Sequence, residues 1–170
     1  MFEVSVITLL MKLFLSHATQ DSDLVAVIRE RLEPLGVNIY AAEFDNKAGA
    51  SLRDKVHSEI LACDWMVVLL TDVGHSSVYV HQEIGFALAQ KKLVIPIVTP
   101  EIAKENLGML NGAEYIVYNM AEPDSAFHQL TQRIDELARR EAKLQKDRDD
   151  FVGAIGVGLV VGAILLALRE

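Results

Sequence analysis

Apolar and polar positions alternate with two different periods along the first 138 residues of the chain. Lys12–Ser16 (KLFLS) has the short apolar pattern of a strand. Asp21–Leu35 places Leu24, Ile28, Leu32 and Leu35 at helical spacing, and Gly36 marks its end. Val37–Ala42 reads as a second strand and Glu43–Ala50 as a polar loop. Ser51–Ala62 is a helix with Leu52, Val56 and Ile60 on one face. Asp64–Thr71 is a continuous Val- and Leu-rich run, as expected of a strand covered on both faces. A small-residue loop, Thr71–Ser77, leads into a helix from Val78 whose apolar residues are Val80, Ile84, Ala87 and Leu88. Leu93–Val98 is the fourth strand, and Pro96 inside it suggests a bulge or a place near an edge. A weak helical segment over Pro100–Leu110 and a short fifth strand over Glu114–Tyr118 follow. Asp124 or Ser125 is placed to cap a last helix with Phe127, Leu130, Ile134 and Leu137 on its apolar face. Such alternation predicts an α/β fold, a flavodoxin-like doubly wound five-stranded parallel sheet of order 2-1-3-4-5. Its ligand crevice is expected beside the first and third strands.

The pattern changes after residue 138. Residues 139–150 are strongly charged and read as a helical linker that continues the last helix. Phe151–Leu168 is then 18 consecutive uncharged residues, FVGAIGVGLVVGAILLAL. At helical rise this covers roughly 27 Å, just enough for a hydrocarbon core. Four glycines in the run would cost a soluble helix about 1 kcal/mol each against alanine, whereas membrane helices tolerate them. Ala154, Gly158 and Gly162 recur at four-residue steps, a spacing that lets two membrane helices approach closely. The expectation is a single-pass C-terminal membrane helix. Lys143, Lys146 and Arg148 precede it and only Arg169 follows, which places the folded domain on the cytoplasmic side. The apolar start MFEVSVITLL lacks a basic leading region and is not expected to be a secretory signal.

Charge narrows the choice of partners. Residues 1–127 carry 9 Lys and Arg against 17 Asp and Glu, and so account for the whole net charge of −8. An acidic domain without a basic stripe argues against nucleic acid as a partner. Cys63 is the sole cysteine and stands beside a predicted buried strand, where a packed, inert thiol is expected. The five histidines show no HxH or HExxH spacing, so no metal site is expected.

Three segments should meet at the crevice: Phe14–His17, the loop Glu43–Ala50, and Ser77–Glu83. Glu83 falls in the second turn of its helix, close to the C-terminal edge of the sheet where open α/β folds hold ligands. Acids near helix starts also arise simply because they complement the helix dipole. A phosphoryl-accepting receiver domain shares this layout, but it needs an acidic pair after the first strand. Ser16–His17 stands there instead.

The segments KLFLSHA (12–18), EFDNKAGAS (43–51) and SVYVHQEIGFALA (77–89), followed by VIPIV, resemble the Toll/interleukin receptor (TIR) family over about residues 12–138, particularly its bacterial and archaeal branch. Many members of that family cleave NAD at the nicotinamide–ribose bond with one essential glutamate in the third helix, and Glu83 matches that position. The resemblance implies NAD as substrate, no cofactor and no metal, and self-association through the domain. It makes Glu83 the catalytic residue. Candidate substrate-binding residues are Ser16, His17, Phe14, Asp45, Lys47, Ser77 and Tyr79, with Phe14 equally placed to be core. Two departures are Tyr79, where bacterial relatives often carry Trp, and a missing proline in the loop after the second strand.

One acid suffices for such chemistry. Most glycosidases need a second carboxyl to protonate a poor leaving group. Nicotinamide leaves NAD as a neutral base, so a single carboxylate that stabilises the developing oxocarbenium charge is enough. The expectation is a membrane-anchored NAD glycohydrolase or ADP-ribosyl cyclase, a signalling or immune effector active on self-association. The alternatives are a non-catalytic TIR adaptor that assembles at a membrane and a nucleoside deoxyribosyltransferase-like enzyme.

Overall fold

A computed structural model describes residues 11–42 and 50–167, except for the side chains of 50, 51 and 152–167. The elements run β1 (Lys12–Ser16), α1 (Ser22–Leu32), β2 (Asn38–Ala41), α2 (Ala50–Ala62), β3 (Trp65–Leu70), α3 (Asp72–Ser76), α4 (Val78–Ala89), β4 (Leu93–Val98), β5 (Ile116–Val117) and α5 (Pro123–Ala167). Two compact units are present, residues 1–133 and 134–170. The first contains a parallel sheet of order β2-β1-β3-β4-β5, as the alternation predicts.

Each strand of the sheet sends alternate residues to opposite faces. Phe14, Met66, Val68, Leu70, Val94 and Val98 share one core with Val56 and Ile60 of α2 and with Val80, Ile84 and Ala87 of α4. The odd partners Leu13, Leu15, Trp65, Val67, Leu69, Ile95 and Ile97 are equally buried on the other face. That face takes the covered residues of α1 (Val25, Ile28, Leu32) and the start of α5 (Phe127, Leu130). Arg31 ties these two helices, pairing with Asp124 at 3.0 Å and lying 5.2 Å over the Phe127 ring. β3 is buried at all six positions, so its side chains cannot show the polar alternation of a half-exposed strand.

Several details differ from the expectations. Thr71–Ser77 is not an open loop. Its middle forms α3, a single turn capped by Thr71, whose hydroxyl accepts the Gly74 N–H at 3.0 Å. Pro100–Leu110 holds two 3-10 turns, Ile102–Lys104 and Gly108–Leu110, rather than one helix. α5 begins at Pro123, so Asp124 and Ser125 lie inside the helix rather than at its cap. Pro96 pairs in unbroken register with Val68, so there is no bulge. β5 reaches only Ile97 and Val98, which leaves β4 without a neighbour on that side at Pro96. The proline sits where the sheet is locally an edge. Gly36 takes a left-handed conformation (φ 86°) after the 3-10 turn that ends α1.

α5 is continuous from Pro123 to Ala167, through the charged linker. Among the described residues no helix is long and apolar enough to cross a membrane. Apart from Phe151, the side chains of the expected span 151–168 lie outside the described residues, as do Asp45 and Lys47.

Candidate active site

Glu83 occupies a position that helix geometry assigns to the core. On α4, Val80, Glu83, Ile84 and Ala87 form the i, i+3, i+4, i+7 face turned to the sheet, and all four are buried. Glu83 is 5% exposed. A carboxylate is seldom placed so deep unless it is paired, because removal from water penalises its charged form. Among the described residues only one of its oxygens is engaged. Ser16, two residues beyond Phe14 and so on the same face of β1, donates its hydroxyl to Glu83 Oε2 at 2.5 Å. Glu83 Oε1 has no hydrogen-bond partner among the described residues. Burial pushes the Glu83 carboxyl up from the ordinary 4.5 to about 7, against the opposing effect of the Ser16 hydrogen bond.

A second buried acid, Asp21, stands in the first helical turn after β1, Thr19–Asp21. Asp21 is 8% exposed. Its carboxylate receives the Thr71 hydroxyl at 2.9 and 3.0 Å and faces the Ala18 N–H at 3.3 Å. This joins the loop after β1, which carries His17, to the end of β3. Gly74 closes the same junction. A Cβ there would lie 2.2 Å from the Leu69 carbonyl oxygen, so only glycine lets α3 fold back onto β3. No single motif marks Asp21, Thr71 and Gly74, because their meeting depends on the order of the strands.

The remaining candidates separate by position. His17 is buried (4% exposed), with Nδ1 3.2 Å from the Leu15 carbonyl oxygen. Ser77 is the N-cap of α4 and accepts the Val80 N–H at 3.4 Å. Tyr79 is 55% exposed in the first turn of that helix. Phe14 belongs to the buried core cluster on its face of the sheet. It is fully buried and stacks on Tyr40 at 5.7 Å. Cys63 is buried as expected, donates to the Ile60 carbonyl at 3.1 Å, and has its thiol pushed up chiefly by burial. No cluster of metal-ligating side chains occurs among the described residues. A cavity of about 130 Å³ opens at the opposite edge of the sheet, by Lys12, Asn38, Glu59 and Cys63, away from Glu83.

Residues 13–131 match the TIR domain family. The chain belongs to that family. Over 90 residues the chain is 33% identical to the 2′ cyclic ADP-D-ribose synthase AbTIR of Acinetobacter baumannii (strain 1295743). That match covers 50% of this chain and 34% of the relative, so the chain spans about a third of the length of that relative. Two solved structures share the fold. The TIR domains of the activated Roq1 resistosome superpose with a TM-score of 0.58 at 14% identity, covering 74% of this chain and 99% of theirs. The CMP N-glycosidase BcmB of Clostridium botulinum gives 0.53 at 20% identity, covering 72% and 98%.

Proposed function

We propose that this TIR domain cleaves NAD at the bond between nicotinamide and ribose, as a glycohydrolase or an ADP-ribosyl cyclase, with Glu83 as the catalytic carboxylate. The observation that carries the reading is the state of that side chain. It is buried at the C-terminal edge of the sheet, held through one oxygen by Ser16, with the other oxygen unpartnered among the described residues. The likeness to a cyclic ADP-ribose synthase supports the same substrate.

In this reading Glu83 Oε1 accepts a hydrogen bond from a ribose hydroxyl. The C1′–N bond breaks with its electron pair leaving on the nicotinamide nitrogen, which becomes neutral. Positive charge develops on the ribose, and the ionised carboxylate stabilises it in a site of low dielectric. Water then adds at C1′ and loses a proton to give ADP-ribose. If a hydroxyl of the same molecule adds instead, it loses its proton and the product is cyclic. Ser16 fixes the carboxylate before the reaction, so no reorganisation is needed as charge appears. Ser77 and Tyr79, at the mouth of α4, and Asp45 and Lys47, from the loop after β2, contact the rest of the nucleotide in this proposal. The chain is further proposed to be tethered by residues 151–168 to a membrane, with the domain in the cytoplasm, and to work as an effector that turns over NAD when its domains associate.

The test is nicotinamide release from NAD by the full chain and by its Glu83→Gln variant. Glutamine keeps the shape and removes the charge. Turnover should fall by about a hundredfold or more while the fold survives. Equal rates from a folded variant would remove Glu83 from the chemistry. An adaptor would release no nicotinamide under any condition of clustering. A deoxyribosyltransferase would instead exchange bases between deoxynucleosides.

A further inference from the structure

Asp21 stands at the N-cap position of α1, yet its side chain makes no capping bond to that helix. An acid serving only as a helix start would give its oxygens to N–H groups of the first turn. Asp21 turns them elsewhere. Both accept the hydroxyl of Thr71, fifty residues on, at 2.9 and 3.0 Å, and Oδ2 also faces the Ala18 N–H at 3.3 Å. The side chain is buried with these donors, which offset the cost of taking a carboxylate out of water.

The Ser16–Glu83 pair belongs to the same circuit of bonds. From Asp21 the circuit passes to Thr71, whose hydroxyl accepts the Gly74 N–H of α3 at 3.0 Å. The Gly74 carbonyl accepts the Ser77 N–H at 3.2 Å, and Ser77 is the N-cap of α4. His81, two residues before Glu83, sets Nε2 2.7 Å from the His75 carbonyl oxygen and ties α3 to the start of α4. Glu83 then receives Ser16 of β1. Two residues later the chain reaches Ala18, where the circuit returns to Asp21. Asp21–Thr71 and Ser16–Glu83 are thus two bridges between the same pair of segments.

Packing alone does not set the second bridge. Val80, Ile84 and Ala87 bury α4 in the core, but apolar burial is non-directional and does not fix a helix to a fraction of an ångström. The Ser16–Glu83 bond is 2.5 Å long, and parting its atoms by about 1 Å abolishes it. We propose that Asp21 is a positioning residue for Glu83: by holding Thr71 and Ala18 together, it keeps the start of α4 and the end of β1 at the separation that the Ser16–Glu83 bond requires. In the NAD reaction proposed above, on which this role rests, Asp21 touches no reacting atom and acts only through Ser16 and Glu83.

The test reads Glu83 directly. The full chain, in detergent and labelled with ¹³C at the glutamate carboxyl carbons, is titrated by NMR, and the signal that Glu83→Gln removes is followed. Ser16→Ala should move its midpoint upward, because the Ser16 bond favours the ionised form. Asp21→Ala and Thr71→Val, each cutting the far bridge, should move it the same way, by at least about half as much. Asp21→Asn and Thr71→Ser keep a bonding oxygen and should restore most of the difference. Leu130→Ala, a core deletion in the helix on the other face of the sheet, destabilises at least as much and should leave the midpoint in place. In the Ser16→Ala background Asp21→Ala should move it no further. In turnover of NAD, Asp21→Ala should lower kcat about tenfold and change KM less than about twofold. An unmoved midpoint in both folded bridge variants would overturn the role of Asp21. So would an equal movement in Leu130→Ala, or a full movement without Ser16. Midpoints that move as stated in a chain releasing no nicotinamide would uphold the link and remove the NAD reading. Nicotinamide release that needs Glu83, with midpoints indifferent to Asp21→Ala and Thr71→Val, would do the reverse.

Discussion

Ser16 donates the one described hydrogen bond that Glu83 receives, so the pH response of the site is set by this pair and by the burial around it. The carboxylate must be ionised to stabilise a cation, and its pKa is about 7. In the proposed reaction kcat/KM should therefore rise with pH across a midpoint near 7 in the free protein. Removing the hydrogen bond with Ser16→Ala takes away the one influence that lowers the pKa, so the midpoint should move to higher pH. A rate profile flat from about pH 5.5 to 8.5 would contradict both statements. Stability runs the other way. Between 4.5 and about 7 the folded chain holds a proton on Glu83 that the unfolded chain has released. The resulting stabilisation is complete below the unfolded value and is lost as pH rises through the folded one. For a shift of this size it amounts to roughly 3 kcal/mol. Glu83→Gln should melt several degrees above the wild type at pH 8, by about 2–4 °C per kcal/mol in a chain of this length. The two should coincide near pH 4. A Glu83→Gln variant less stable than wild type at pH 8 would show that the charged carboxylate is a structural partner.

At the scale of elements, α3 and the loop after β1 are held together by Asp21, Thr71 and the bare backbone of Gly74. Gly74→Ala should cost about 1–3 kcal/mol, because its Cβ would meet a backbone oxygen that cannot rotate away. The check is the denaturant midpoint at unchanged slope. Asp21→Ala leaves the Thr71 hydroxyl and the Ala18 N–H without their acceptor and should cost a similar amount. Asp21→Asn retains one acceptor oxygen and should recover part of it. The strands, their order and α1, α2 and α4 were legible because each carries its own period of apolar residues, two-fold or 3.6-fold. Glu83 was legible as an acid in an apolar helix face, and Ser16 as the residue at the end of β1. Asp21 was not, since an acid before a helix reads first as a dipole partner. α3 was missed because Thr, Asp, Gly, His and Ser form a loop composition, while the turn is closed by the Thr71 cap and by backbone bonds that no apolar period announces. The single helix expected over Pro100–Leu110 breaks where Glu105 turns to extended backbone after the first 3-10 turn. Phe14 was ambiguous by sequence, because a strand end facing a ligand and one facing the core look alike.

At the scale of the whole molecule, the proposed tether is tested by fractionation. Full-length chain should require detergent, and a chain ending at Asp150 should not. Detergent-free recovery of the full chain in the high-speed supernatant would end that proposal. Cys63 offers a different view of the same molecule. It lies in the core cluster that also contains Val80, Ile84 and Ala87, the residues flanking Glu83 on α4. A thiol so covered reacts with a reagent only during openings of that core, so its labelling rate measures how often the native protein breathes. The ratio of wild-type to Glu83→Gln labelling rates cancels the intrinsic reactivity of the thiol. That ratio should grow as pH passes 7, making one unmodified sulfur a gauge of how far an ionised glutamate loosens the fold around it.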